Sequence, residues 1–153
     1  MSDAIKLYIS CHKRGVHIPD NPLLVPIQVG SSLASERFDE MVQDNTGDNI
    51  STKNRSYCEL TGQYWAWKND DADYYGFLHY RRYFNFSNTS FPIHHEPFIF
   101  GDVVFESNDD DSLSAICFDE KTMREVICSH DFIAPEAIAT PDGVNVYEQY
   151  RMS

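Results

Sequence analysis

Apolar and polar positions alternate first at residues 5–10. A short apolar run covers residues 25–29, and another, rich in aromatic side chains, covers residues 75–78 directly after an acidic turn. Runs of this length and composition predict strands. From residue 54 or 56 to residue 68, apolar residues recur three and four positions apart, which predicts a helix with one buried face. Strands and a helix in this order indicate an α/β domain.

The predicted helix presents two kinds of side chain. Leu60, Tyr64 and Trp65 belong to its apolar stripe, and we interpret them as core residues that pack against the sheet. Glu59 and Gln63 lie four positions apart, so they share one helical face and can approach a ligand together.

Weaker patterns follow in the second half of the chain. Residues 120–129 predict a helix, and residues 102–106 and 130–135 predict strands. Residues 144–152 have the pattern of an opening helix, and no cap follows them. We therefore expect residues 1–153 to form a single α/β domain, truncated at its C-terminus, that is the N-terminal part of a longer domain.

Composition argues against several classes of protein. The chain has 24 Asp and Glu against 12 Lys and Arg, for a net charge of −12. Nucleic-acid binding, which needs a basic face, is therefore not expected. No apolar run approaches the roughly 20 residues that cross a membrane, and no signal-peptide pattern opens the chain, so we expect a cytoplasmic location. The four cysteines lack zinc spacing and are interpreted as buried free thiols.

Positive side chains follow two of the predicted strands. Arg81 and Arg82 come soon after the aromatic strand, and His12 and Lys13 come after the first strand, where they either contact a ligand or belong to an ordinary solvated basic turn. Ligands of open α/β sheets bind beyond the carboxyl ends of the strands, and the planar guanidinium group binds phosphate through two parallel hydrogen bonds. A pyrophosphate-bearing ligand is the natural candidate. The sequence has neither a P-loop nor a GxGxxG motif, so side chains would have to bind the phosphates.

A polar loop at residues 44–51 carries the pair Asp-Asn twice, as Asp44 and Asn45 and as Asp48 and Asn49. It is either a connector that caps the next helix or a loop that lines a sugar or nucleotide site, because these side chains suit sugar hydroxyls. We favour the second interpretation.

Six ordered motifs together resemble one family. They are DNP at 20–22, PIQVG at 26–30, DNTGDNIS at 44–51, YCELT at 57–61, QYWAWK at 63–68 and HYRRYF at 79–84. In this combination the chain resembles bacterial capsular and exopolysaccharide biosynthesis proteins, whose domain of long-unassigned function is now assigned as a glycosyltransferase. The resemblance is strong over residues 5–84 and weak beyond them.

The resemblance implies a Rossmann-like, three-layer nucleotide-sugar-binding fold of the GT-A type, with this chain as its donor-binding part. It implies transfer of a sugar from a nucleotide-sugar donor to a saccharide or lipid-linked saccharide acceptor. The resemblance places this reaction in the cytoplasm or at the cytoplasmic face of the membrane. It also allows peripheral association with the inner membrane through other proteins. The expected donor-binding residues are His12, Lys13, Asp44, Asn45, Asn49, Gln63, Tyr80, Arg81 and Arg82.

The aromatic strand departs from the GT-A pattern at its end. Many GT-A enzymes have an Asp-x-Asp metal motif there, whereas this chain has His-Tyr-Arg-Arg. We therefore name no metal ligand, although the use of a divalent metal stays open. Our hypothesis is that Arg81 or Arg82 neutralises the donor pyrophosphate, as a metal does elsewhere. An inverting transfer also needs a base, for which Asp48, Glu59 and His79 are the candidates; a histidine packed against backbone is the alternative for His79.

Two other interpretations of the chain compete with an enzyme. The first is a non-catalytic module that binds a nucleotide sugar or a saccharide. The second is a purely structural domain in which Arg81 and Arg82 pair with acidic residues, for which the nearest candidates in sequence are Asp70, Asp71 and Asp73.

Overall fold

The structure is a computed structural model that describes residues 3–92, 95–96, 99–100, 105, 107 and 109–135. Four strands form one parallel sheet in the order β3-β2-β1-β4. They are β1 (Ile5–Cys11), β2 (Leu24–Gln28), β3 (Val42–Gln43) and β4 (Tyr74–His79), and a separate antiparallel pair contains β5 (His95–Glu96) and β6 (Ile99–Phe100). The strands predicted at residues 5–10, 25–29 and 75–78 are confirmed.

The helices confirm one prediction and correct another. After a 3-10 turn (Ser51–Lys53) come α1 (Asn54–Tyr57), α2 (Leu60–Asn69), α3 (Asp110–Ala115) and α4 (Glu120–Cys128). The predicted helix at 120–129 is α4, whose N-cap Asp119 accepts a hydrogen bond from a backbone N–H. The single helix predicted to reach residue 68 is wrong, because Cys58 has φ 47° and ψ −126° and separates α1 from α2.

The sheet lies between two helical layers. On one face, alternate residues of β1 pack with α4, including Ile9 against the group that contains Met123 and Ile127. On the other face, Tyr8 packs with Ile27 and with Ala66 of α2. These two cores give the expected three-layer α/β fold.

The buried face of α2 differs from the predicted one. Thr61, Gly62 and Ala66 are buried, whereas Leu60 is 51% exposed. A Cβ atom added to Gly62 would lie 3.0 Å from the Val29 side chain, so α2 packs too closely on the sheet to admit large residues there. The prediction that Leu60 is a core residue is therefore wrong. Of the other two predicted core residues, Trp65 packs against the Tyr8 cluster, and Tyr64 is only partly buried.

Further corrections concern the C-terminal half and the cysteines. The strand predicted at residues 130–135 is wrong, because no strand of the described residues pairs with this segment, and Phe132 is 83% exposed. All four cysteines are free, but Cys58 and Cys128 are exposed, not buried as predicted. The predicted elements at 102–106 and 144–152 lie almost entirely outside the described residues.

None of the helices in the described part of the chain is both long enough and apolar enough to cross a bilayer.

One polar network fastens the amino end of the sheet. The carboxylate of Asp70, at the end of α2, accepts hydrogen bonds from Lys6 and from the buried Tyr8. Burial alone would raise the pKa of Asp70, but the bonds from Lys6, Tyr8 and the Asp71 N–H outweigh it and lower the pKa. Because the folded pKa is lowered, the contribution to stability is present above the ordinary aspartate pKa and is lost as pH falls through the lowered one.

We expect Asp70→Ala to lower the free energy of unfolding by about 1–3 kcal/mol, since it leaves the buried Tyr8 hydroxyl without its partner. Urea denaturation at pH 7 measures the loss. We expect the difference between wild type and variant to shrink once the pH falls below about 4. The exposed neighbour provides the control: Asp71→Ala should stay within about 0.5 kcal/mol of wild type. An equal loss in both variants would contradict the role given to the network.

Candidate functional site

The candidate site lies where the strand order reverses, between β1 and β4. β1 has β2 on one side and β4 on the other, and Ser10 is paired with His79 near the carboxyl ends of β1 and β4. In open α/β sheets the crevice at such a reversal is the usual ligand site. The chain leaves β1 through His12 and leaves β4 through Tyr80, so the two predicted cationic segments meet here.

Four side chains surround the ring of Tyr80, which is only 7% exposed. The ring centroids of His79 and His12 lie 4.2 Å and 5.5 Å from that of Tyr80, and the two imidazoles are 6.4 Å apart. The Nζ atom of Lys13 lies 5.3 Å from the ring centroid, and the Cζ atom of Arg81 lies 5.2 Å from it. We call these five residues the Tyr80 cluster. It joins side chains that are almost 70 residues apart in sequence.

An open pocket of about 310 Å³ adjoins the cluster, lined by residues 13–17 with Tyr80 and Arg81. The lysine and the two arginines that line the pocket differ in their contacts. Arg14 forms ion pairs with Glu36 at 3.0 Å and Glu40 at 3.7 Å, so its charge is already balanced. Lys13 and Arg81 form no ion pair within the described ranges. Two positive charges are thus available to a ligand, and Arg14 is a lining residue that the sequence analysis did not select.

His79 has a defined tautomer. Its Nδ1 atom accepts a hydrogen bond from the Arg81 backbone N–H at 3.2 Å, so the proton of the neutral ring is on Nε2. Burial lowers the pKa of His79, and the charge of Arg81 lowers it further, while the negative charge of Glu59 acts in the opposite direction. The ring is therefore neutral at pH 7 and presents an N–H donor.

Glu59 approaches this site from α2. It is the N-cap residue of that helix, it is exposed, and its charge acts on His79. The preceding turn is fixed because the N–H of Cys58 donates to the Asn54 carbonyl at 2.8 Å and the Cys58 carbonyl accepts from Asn54 Nδ2 at 2.7 Å. The unusual Cys58 backbone thus ends α1 and starts α2 at Glu59.

Asp44, predicted to bind the donor, is fully buried, and its carboxylate oxygens face protein donors. Five groups donate to them over 2.5–2.9 Å, and these are the Gly30 and Ser31 N–H groups and the hydroxyls of Ser31, Ser51 and Thr61. The carboxylate therefore links the turn after β2 to the 3-10 turn and to α2.

The rest of the polar loop runs along the outside of α2. Asp48 accepts a hydrogen bond from Tyr64 at 3.1 Å, and its backbone N–H donates to the side chain of Asn69 at 2.9 Å. Gly47 has φ 55°, and an added Cβ would lie 2.0 Å from the Asn69 side chain, so only glycine fits. Asn69 ends α2, a helix about 15 Å long. Asp48 therefore lies near the end of α2 that is remote from Glu59.

The remaining predicted site residues also lie outside the Tyr80 cluster. Asn49 bonds within its own loop, to Gly47 and Ser51. Asn45 is partly buried beside Asp44, and Gln63 lies one helical turn after Glu59, partly buried.

The side chain of Arg82 is exposed, and its backbone N–H closes a tight turn onto the His79 carbonyl at 2.9 Å. Neither Arg82 nor Arg81 has an acidic partner among the residues that the structure describes. Asp70 and Asp73 bond instead to β1 and to Ala4 at the amino end of the sheet. Six residues of β4 separate the two ends by about 20 Å. The described contacts thus give no support to the purely structural interpretation.

The carboxyl end of β4 offers imidazole and guanidinium groups and, in place of the Asp-x-Asp carboxylates, the sequence His-Tyr-Arg-Arg. Across the described residues, no three His, Cys, Asp or Glu side chains are grouped so as to hold a metal ion.

Comparison with known proteins supports a glycosyltransferase-like chain. Residues 6–153 match the family model described as a domain of unknown function, DUF4422. A solved structure, the WbbM bifunctional glycosyltransferase in its apo form, is similar with 35% sequence identity and a TM-score of 0.69. The similarity covers 80% of this chain and 21% of that one, so the chain spans about a fifth of that protein's length. No curated protein matches. The expected likeness to glycosyltransferases and the α/β fold class are confirmed.

Proposed function

Because the chain belongs to the DUF4422 family, and because a glycosyltransferase shares its fold at 35% identity, we propose that it transfers a sugar from a nucleotide-sugar donor to a saccharide acceptor. The observation that carries the proposal is the pair of unbalanced cations, Lys13 in the loop after β1 and Arg81 in the turn after β4, where the strand order reverses. In a chain of net charge −12, two such cations beside an open pocket favour an anionic ligand.

The proposed ligand group is the donor diphosphate. The Arg81 guanidinium group suits two phosphate oxygens at once, and Lys13 supplies a compact charge. Charge builds up on the diphosphate as the bond to the sugar breaks, so fixed cations stabilise the transition state more than the bound donor. The neutral His79 ring adds an N–H donor next to them. Arg82 lies on the same tight turn and adds positive charge at the edge.

The finer assignments rest on the sequence motifs. The combination of DNTGDNIS and HYRRYF supports a role in capsular or exopolysaccharide biosynthesis. We propose a saccharide or lipid-linked saccharide as the acceptor and the cytoplasm, or the cytoplasmic face of the membrane, as the setting.

The test is donor binding in the presence of a chelator. Calorimetry with UDP-, GDP- and CMP-sugars should detect binding of a UDP- or GDP-sugar, because a CMP-sugar carries only one phosphate. Arg81→Met or Lys13→Met should weaken that affinity about 10- to 100-fold, as expected for a charge-assisted hydrogen bond. Methionine keeps the apolar stem and removes the charge. The matched control is Lys68→Met, because the Nζ atom of Lys68 also lies on a ring, that of Trp67 at 3.7 Å, but on α2.

Full affinity in both site variants would refute the role of the two cations. Binding that vanishes with chelator and returns with manganese would refute their use in place of a metal. Binding without any transfer would favour the non-catalytic module.

A further inference from the structure

Tyr80 is the residue that connects the two cations. Lys13 comes from the loop after β1 and Arg81 from the turn after β4, and the structure describes no hydrogen bond or ion pair for either side chain. What the two side chains share is the ring of Tyr80, at 5.3 Å and 5.2 Å from its centroid. The ring is buried and belongs to the larger hydrophobic core, so its own position is fixed.

An aromatic ring suits this task better than a carboxylate. Either group attracts a cation, but a carboxylate would neutralise the charge that an anionic ligand needs. The neutral ring restrains Lys13 and Arg81 through its negative face and leaves both positive charges available. Restraining long side chains before binding also lowers the entropy lost when the ligand binds.

We propose that Tyr80 is a positioning residue. It holds Lys13 and Arg81 so that each of the two side chains can bind one phosphate of a diphosphate. The inference rests on the proposed function, because it takes the ligand to be a diphosphate-bearing donor. It assigns Tyr80 a role that acts through its neighbours, with His12 and His79 packed against the same ring.

The test changes the charge distribution of the ring while keeping its shape. In the 153-residue chain, Tyr80 is replaced by phenylalanine and by phenylalanines that carry one, two and three fluorine atoms, which weaken the negative face stepwise. Calorimetry is performed with UDP and with inorganic pyrophosphate. Tyr80→Phe should bind both probes within about twofold of wild type, and affinity should then fall stepwise, by about tenfold at three fluorines.

Two controls separate positioning from packing. The same trifluorinated residue at Phe86, which is buried against Phe118, should leave both affinities unchanged. In the Lys13→Met background, affinity should fall less with each added fluorine atom, because one of the two cation–ring contacts is gone.

Each outcome is decisive. Binding without a fluorine trend would refute the inference and leave the proposed function standing. A trend with pyrophosphate but no binding of UDP would support the positioning role of Tyr80 and refute a UDP-sugar as the donor. Binding of neither probe would refute the inference.

Discussion

Asp44→Ala is expected to lower the free energy of unfolding by at least about 3 kcal/mol. Five donors converge on this carboxylate in the interior, and of these only the Thr61 hydroxyl has another acceptor within reach, the Cys58 carbonyl at 3.1 Å. Each buried donor left without a partner is destabilising by about 1–3 kcal/mol, reduced where the backbone relaxes. Asp44→Asn should also be destabilising, since the amide places a donor opposite donors. Urea denaturation followed by circular dichroism measures both.

The loop itself provides the control. Asp48 repeats the same Asp-Asn pair four residues later but is exposed, so Asp48→Asn should change stability by less than about 0.5 kcal/mol. Thr61→Val removes one of the five donors and should be destabilising by about 1–2 kcal/mol. A smaller loss for Asp44→Ala than for Thr61→Val would refute the role of Asp44 as the common acceptor.

The two aspartates also show what sequence reasoning missed. Asp44 and Asp48 begin identical pairs in one polar loop, and local composition gives no reason to separate them. Contacts with distant residues separate them. Asp44 accepts hydrogen bonds from the turn at Gly30 and from the start of α2, whereas the Asp48 N–H donates to the end of α2. A carboxylate that accepts five hydrogen bonds in the interior depends on tertiary contacts. The polarity of the loop, which favours a donor site, does not reveal such contacts.

The strands and the charged residues at their ends are predictable because their signals are local in sequence. Alternation and apolar runs are local signals, and residues directly after a strand must lie at the edge of the sheet. His12, Lys13 and Arg81 follow this rule, and His79 is the last residue of β4. Their gathering around one ring was not predictable, because it requires β1 and β4 to be neighbours in the sheet. The break at Cys58 was likewise hidden, since helical periodicity continues on both sides of it.

Glu59→Gln is expected to reduce the rate of sugar transfer about 10²- to 10⁴-fold, the range for losing a general base. Of the three candidate bases, Asp48 lies beside the remote end of α2. The Nδ1 lone pair of His79 is used by the Arg81 N–H, and its Nε2 carries the proton, so the ring has no free atom to accept another. Glu59 is exposed at the same edge and presents a carboxylate. The rate should fall without a comparable loss of donor affinity, because the base acts on the acceptor.

His79→Gln provides the comparison, because glutamine keeps an N–H donor but cannot hold a proton. We expect it to change the rate by less than about tenfold, well below the effect of Glu59→Gln. In wild type, protonation of His79 at acid pH needs Nδ1 to give up its bond to the Arg81 N–H. Since the pKa of His79 is lowered, protonation of His79 should affect donor affinity only below the ordinary histidine pKa of about 6.5. The part of the pH dependence that comes from His79 should disappear in His79→Gln. If His79→Gln abolishes transfer while Glu59→Gln retains it, the two roles are reversed.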